Sequence, residues 1–317
     1  MLDRLILHIG DHKTGTTSIQ DYCFAQREGL ARQGINYPDD GAITTTGHHA
    51  LQTWLSQPRG KPPRTKFDLE TVAPIWQDRF DGATVFLSSE NFRFLKVNQI
   101  QKLATLLPAR QVEVIAYFRA PLDRFLSGYK QHVKSSESRC SMGVAEFMDA
   151  LNYDRVVDYT VVIDRWAEVY GRDAINVRSF RGAKGGIVRD LLTTIGADPD
   201  RLPADQKHSN VSPDDLTIAA LAVLNNAPRT VVQHAAILRA LGETSRPEDK
   251  AFGLLAGPHF TTIRDRLTAP ISNLQGAAEL GLLDDDRFEK ATPIGIETVQ
   301  ERIRRIRDFL RALDIAP

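Results

Sequence analysis

The chain has 317 residues, enough to bury a substantial core as one large domain or two modest ones. Charged residues make up 25% and the apolar set 42%, ordinary for a globular protein, and Lys+Arg balance Asp+Glu at 40 each. No global charge draws the chain to nucleic acid or a membrane surface, and two distant cysteines, Cys23 and Cys140, argue against a disulfide scaffold or a four-ligand zinc site. Asp3 and Arg4 lead straight into an apolar run, unlike a signal peptide, and no stretch approaches ~20 apolar residues. The expectation is a cytoplasmic protein with no transmembrane segment and no nucleic-acid partner; the oligomeric state is left open.

Strand-like runs stand at Leu5–Ile9, Thr84–Ser88, Val112–Phe118 and Ala174–Ser179, with a weaker one near Gly34–Tyr37. Helical patterns follow Thr17, Pro121 and Gly186, and another spans Val156–Tyr170 with Val157, Val161, Val162 and Trp166 as its apolar positions. Pro121 suits a first helical turn, where its missing N–H costs nothing. This alternation predicts an α/β fold, a parallel sheet of about five strands flanked by helices. Pro38–His49 and Pro58–Phe67, rich in Gly, Pro, Thr and basic residues, read as surface loops near the functional face.

Past Lys207 the strand signals stop, and Leu216–Leu224, Val231–Leu241 and Ile263–Leu280 read as helices. The expected organisation is a single domain over 1–317, an α/β core (1–206) carrying a helical C-terminal extension (207–317). The final helix, Glu297–Leu313, aligns Val299, Ile303, Ile306, Leu310 and Leu313 on one stripe. Its arginines (Arg302, Arg304, Arg305, Arg307 and Arg311) read first as a solvated face and only second as an anion site.

The first strand leads into Gly10, four residues, Gly15, Thr16 and Thr17, against the phosphate-loop pattern G-x-x-x-x-G-K-[ST]. The glycine spacing is intact, and such a turn aims backbone N–H groups and a helix N-terminus at an oxyanion. Thr16 takes the lysine position, however, while Lys13 stands mid-loop between His12 and Thr14. The candidate strands end in Ser88-Ser89-Glu90 and Tyr117-Phe118-Arg119, with no aspartate placed for magnesium. A magnesium-dependent nucleoside triphosphatase is disfavoured, and no cluster has metal-ligand spacing, so no metal is expected.

"HKTGTTSIQ" resembles the 5′-phosphosulfate loop of sulfotransferases that use 3′-phosphoadenylyl sulfate (PAPS), closest to the bacterial and carbohydrate-type branches. The resemblance implies the P-loop nucleoside-kinase-like form of the α/β fold. It implies that His12, Lys13, Thr14, Gly15, Thr16, Thr17 and Ser18 hold the phosphosulfate, with Lys13 on the bridging oxygen. A second stretch, "VEVIAYFRAPLDRFLSGY", is similar to the family's 3′-phosphate element R-x-P-x-x-R-x-x-S-x-Y at Arg119, Pro121, Arg124, Ser127 and Tyr129. Arg119 and Ser127 are the expected cofactor-binding residues there. A forked guanidinium at a strand's carboxyl end suits a phosphate, although pairing with a carboxylate is an equally common use of such an arginine. The likeness extends diffusely through "WAEVYGRDAINVRSF". Beyond it, the segment around Asn210 and Ser212 is a candidate for the family's C-terminal 3′-phosphate contact.

Sulfuryl transfer needs its leaving phosphate neutralised, its acceptor held in line and a base for the acceptor's proton. Glu90, directly after "TVFLSS", is the first candidate base, with helix capping or a salt bridge as its structural alternative. His48 and His49 compete with it, having the better intrinsic pKa. His8 and Cys23 read as core residues. The expected activity is transfer of a sulfuryl group from PAPS to a hydroxyl of a small molecule or glycan in carbohydrate sulfation, leaving adenosine 3′,5′-bisphosphate (PAP). The alternatives are a P-loop kinase of small metabolites and a non-catalytic PAP- or nucleotide-binding protein.

Overall fold

In a computed structural model, the described residues are 1–58, 60–205, 213–257, 259–283, 288 and 290–312. They divide into two compact units, Met1–Arg119 with Tyr159–Lys207 and Leu274–Leu282, and Ala120–Asp158 with His208–Asn273 and Leu283–Pro317.

The first unit is built on five parallel strands, β1 (Leu2–His8), β2 (Ile35–Asn36), β3 (Thr84–Ser88), β4 (Ala109–Phe118) and β5 (Ile175–Ser179), in the order β2-β3-β1-β4-β5. Helices α1 (Thr16–Ala25), α2 (Arg27–Ala31), α3 (His49–Leu55), α4 (Leu69–Arg79) and α5 (Val97–Leu106) connect and flank them, with Tyr159–Tyr170 and Ile187–Ile195 completing the unit. Leu5, Ile6 and Leu7 are buried in succession, because a central parallel strand has no solvent face to alternate with. One face joins Ile6, Phe86, Ile115 and Tyr117 of the sheet to Ile19 and Cys23 of α1 and to Val188, Leu191 and Ile195. This is the predicted α/β architecture, and Cys23 lies in its core.

Register decides what meets at the sheet's carboxyl edge. His8 pairs with Ser88 on one side and Ile115 on the other, so the loop at Gly10 and the turn at Glu90 emerge side by side. Phe118 pairs with Ser179, which sends Arg119 and Phe180 out together. Arg178 forks onto Asp190 at 2.9 Å through both Nε and Nη2, and Tyr117 donates to the same carboxylate at 2.7 Å. That network ties Ile187–Ile195 to β4 and β5.

The second unit is mainly helical, with Pro121–Lys134, Val144–Ala150, Tyr153–Val156, Asp215–Leu224, Val231–Glu243, Phe260–Thr268 and Ile296–Ala312. Pro121 occupies the first turn of its helix, as expected. Phe125, Tyr129, Phe147 and Tyr153 form an aromatic cluster in its core.

Several expectations are corrected. The helix expected over 263–280 ends at Thr268, where Pro270 lies in a tight turn, Ala269–Ile271, that takes over from it. The helix expected from Val156 begins at Tyr159, and Val161 is exposed rather than buried. Strand signals do not stop at 207, since Phe252–Gly253 pairs in parallel with Thr292–Pro293. His48 lies in the core and His49 begins α3, so 38–49 is not wholly a surface loop.

The final-helix arginines do not form one solvated face. Arg302 is fully buried, donating to Thr217 Oγ1, Leu241 O and Thr244 O, and Arg305 forks onto the buried Asp249. Arg304 and Arg311 pair on the surface with Glu301 and Asp308. Asn210, Ser212 and Leu313 lie outside the described residues. No helix among the described residues is long and apolar enough to cross a membrane.

Candidate active site

The loop between β1 and α1 is held by backbone conformation and by its own side chains. Gly10 and Gly15 adopt φ of +47° and +76°, and Lys13 adopts +71°, which costs a lysine about 1–2 kcal/mol relative to ordinary helix or strand. A Cβ on Gly10 would stand 2.7 Å from Thr16 Cγ2 and 3.3 Å from Glu90 Cα. One on Gly15 would stand 3.0 Å from Ile187 Cγ2 and 3.1 Å from Phe180 Cε2. Both positions therefore require glycine for space as well as for φ.

Thr14 is buried, and its hydroxyl donates to Asp11 O at 2.5 Å within the loop. Asp11 is also buried, and its carboxylate forms an ion pair with the buried Arg93. Lys13, Thr17 and Ser18 are exposed, His12 and Gly15 half-buried, and Thr16 buried. The His12 ring lies 5.7 Å from that of Phe94. The N-terminus of α1 has no side-chain cap and no acidic residue in its first turn. Its leading N–H groups and positive dipole end are thus uncompensated by side chains, an arrangement suited to an anion.

Glu90 opens the turn Glu90–Phe94 after β3, and its side chain is 17% exposed. Gln20 of α1 donates to Glu90 Oε2 at 2.8 Å, and His49 Nε2 lies 3.8 Å from the same oxygen. His49 Nδ1 is hydrogen-bonded to Ser89 Oγ at 2.8 Å.

The structure contradicts His48 as a base. Its ring is fully buried, Nδ1 accepts from the Ser88 N–H at 3.1 Å, and Nε2 donates to Pro38 O at 2.8 Å. Burial pushes its pKa down to about 4, so it stays neutral and clamps the 38–48 segment to β3. His8 is likewise a core residue, bonded to Ser88 Oγ at 2.8 Å, with its pKa held down to about 4 by burial.

Arg119 leaves β4 with its guanidinium 4.1 Å from the Phe180 ring centroid, a cation–π arrangement, and Tyr159 donates to its carbonyl at 3.0 Å. Phe180 also packs against Gly15, so one ring touches both the loop and the arginine. Ser127 stands half-buried on Pro121–Lys134 in the second unit. Arg124, in the same motif, donates to Tyr153 OH at 2.6 Å, a structural bond.

Gln20, Arg93 and Phe180 were not singled out from sequence. The readable signals were slight: Gln20 lies four residues after Thr16 on one helix face, and an acidic Asp11 inside an anion-type loop demands a buried cation. Among the described residues no three His, Cys, Asp or Glu side chains converge as metal ligands.

No protein-family model matches the chain, and no curated protein matches it. Among solved structures, it is similar to a sulfotransferase from Alicyclobacillus acidocaldarius at 17% identity and a TM-score of 0.44, over 86% of this chain and 98% of that one.

Proposed function

We propose that this chain is a PAPS-dependent sulfotransferase acting on an acceptor hydroxyl. The observation that carries this reading is a partly buried carboxylate, Glu90, set against an anion-type loop by the pairing of His8 with Ser88. A carboxylate beside a bound anion weakens binding by repulsion, so a protein that merely senses nucleotides gains nothing from it. A group that must accept a proton beside that anion is a reason for its presence. A kinase is disfavoured on two grounds. Thr16 replaces the triphosphate lysine, and the loop's own acid, Asp11, is already paired with Arg93.

The residues present fit the donor. The uncapped start of α1, the exposed hydroxyls of Thr17 and Ser18 and the exposed Lys13 suit the 5′-phosphosulfate, and Arg119 suits the 3′-phosphate. Bound there, PAPS supplies an activated sulfuryl group, whose S–O bond to the 5′-phosphate breaks as the acceptor oxygen bonds to sulfur. Lys13 and the loop N–H groups stabilise negative charge growing on the leaving oxygen. Glu90 takes the acceptor's proton. Phe180 and Tyr159 hold Arg119 in place. The acceptor class proposed, a carbohydrate or glycoconjugate, rests on the loop's resemblance to carbohydrate-type enzymes.

The test is thermal unfolding with PAP against ATP–Mg²⁺ at equal concentration. A ligand at about a hundred times its Kd adds about 2.7 kcal/mol, which is a readable rise in Tm. The expected result is a larger shift with PAP; a larger shift with ATP–Mg²⁺ would sink this reading.

A further inference from the structure

Gln20 is buried in the first unit, on α1, one turn after the loop residues Thr16–Ser18. Its amide donates to Glu90 Oε2 at 2.8 Å and lies 3.5 Å from Ser88 Oγ. Gly47 closes over the group. A Cβ there would stand 2.7 Å from Gln20 Cδ and 2.8 Å from His49 Nε2, so no larger residue fits without displacing the pair. An amide donor on one carboxylate oxygen stabilises the ionised form and restricts its rotation.

Resting on the reading of Glu90 as the base, we propose that Gln20 is a positioning residue that orients the Glu90 carboxylate for proton acceptance. Because Gln20 and the phosphate loop's hydroxyls ride on one helix, it also sets the distance between the base and the bound donor. Nothing in the chemistry of phosphosulfate binding requires an amide at this position. The Glu90 carboxylate, only 17% exposed, does gain from such a donor.

The titratable groups facing Glu90 are His49 from α3, His8 from β1 and Tyr37 after β2, with Arg93 on its own turn. Burial keeps His8 neutral and pushes the Tyr37 phenol well up, and Arg93 is paired with Asp11. His49 Nε2 lies 3.8 Å from Glu90 Oε2, and the variants are therefore also measured in a His49→Gln background.

The experiment measures PAP release from PAPS by transfer to water across pH, with PAP affinity and Tm as parallel readouts, for Gln20→Met, Gln20→Glu and Glu90→Gln. Gln20→Met is expected to lower kcat on the order of tenfold and leave PAP affinity within about twofold. Gln20→Glu sets a second carboxylate against the first, and is expected to raise the acidic limb of the profile by about one pH unit or more. If both variants lower Tm and leave the acidic limb in place, Gln20 is only structural and the inference is overturned. If Glu90→Gln turns over at the wild-type rate, the base assignment fails and takes this inference with it. If Glu90→Gln is inactive while the Gln20 variants keep the wild-type profile, this inference alone fails. Gln20→Glu, nearly isosteric, serves as the folded variant should Gln20→Met not fold.

Discussion

Arg93 and Asp11 form a buried ion pair that joins the turn carrying Glu90 to the loop between β1 and α1. Arg93 O also accepts from Arg165 Nη2 at 2.7 Å, which ties the same turn to Tyr159–Tyr170. Removing one partner of such a pair strands the other charge without water. Arg93→Met is therefore expected to destabilise the protein by about 3–5 kcal/mol in urea unfolding. Asp11→Asn in the same chain should recover part of that loss; strictly additive losses would show that the two charges do not interact.

Gly15 is expected to be far less tolerant than a glycine of similar φ elsewhere. Gly82 adopts φ +67° with nothing within 4 Å of a Cβ, so Gly82→Ala bears only the backbone term of about 1 kcal/mol. Gly15→Ala adds contact with Ile187 and Phe180, and should cost about 2 kcal/mol or more while weakening PAP binding. Equal stability losses in the two variants, read from unfolding midpoints, would count against the packing described at the loop.

Lys13 and Arg119 divide two tasks in the proposed reaction. Lys13→Ala is expected to lower kcat by about a hundredfold with little change in the KM for PAPS, because its charge acts on the leaving oxygen, where negative charge grows only as the bond to sulfur breaks. Arg119→Ala should mainly raise the KM for PAPS and the Kd for PAP. Steady-state kinetics with calorimetric PAP titration reads both, and matched defects in both parameters for both variants would refute the division.

His8 and His48 predict how stability depends on pH. Each is held down to about 4 when folded, against 6.5 for the free side chain. Between those values the unfolded chain binds more protons, so stability rises with pH and is lost as pH falls. Full burial of both rings makes about 3–4 kcal/mol together the expected loss from pH 7 to pH 5, where carboxylates titrate little. Urea unfolding at those two pH values checks it; a flat profile would mean that the rings protonate while folded.

Arg302 is expected to act as a core residue of the second unit. Arg302→Met leaves Thr244 O and Leu241 O without that donor and should cost about 3 kcal/mol. Arg307, exposed on the same helix, should tolerate Arg307→Met within about 0.5 kcal/mol. Thermal unfolding separates the two, and similar small effects would restore the picture of one solvated arginine face.

The sequence by itself determined the elements that local pattern controls. Continuous apolar runs place β1, β3 and β4, since a buried parallel strand needs apolar side chains on both faces. Gly10 and Gly15 mark turns because positive φ and close neighbours favour glycine there, and Pro121 suits a helix start, where its missing N–H costs nothing. The end of the helix at Thr268, before Pro270, was written in the sequence too, but the apolar pattern on either side masked it.

What surrounds each candidate side chain was decided by tertiary structure. His48 and His49 are neighbours in the chain with the same side chain. Register and the path of one short segment bury the first between Pro38 and β3 and bring the second within 3.8 Å of Glu90. The contacts of Gln20 and Arg302 are not local, because Glu90 lies 70 residues from the first and Thr217 lies 85 from the second along the chain. Burial, hydrogen-bond partners and the pKa shifts that follow are properties of assembled surfaces, and strand pairing settles which surfaces meet.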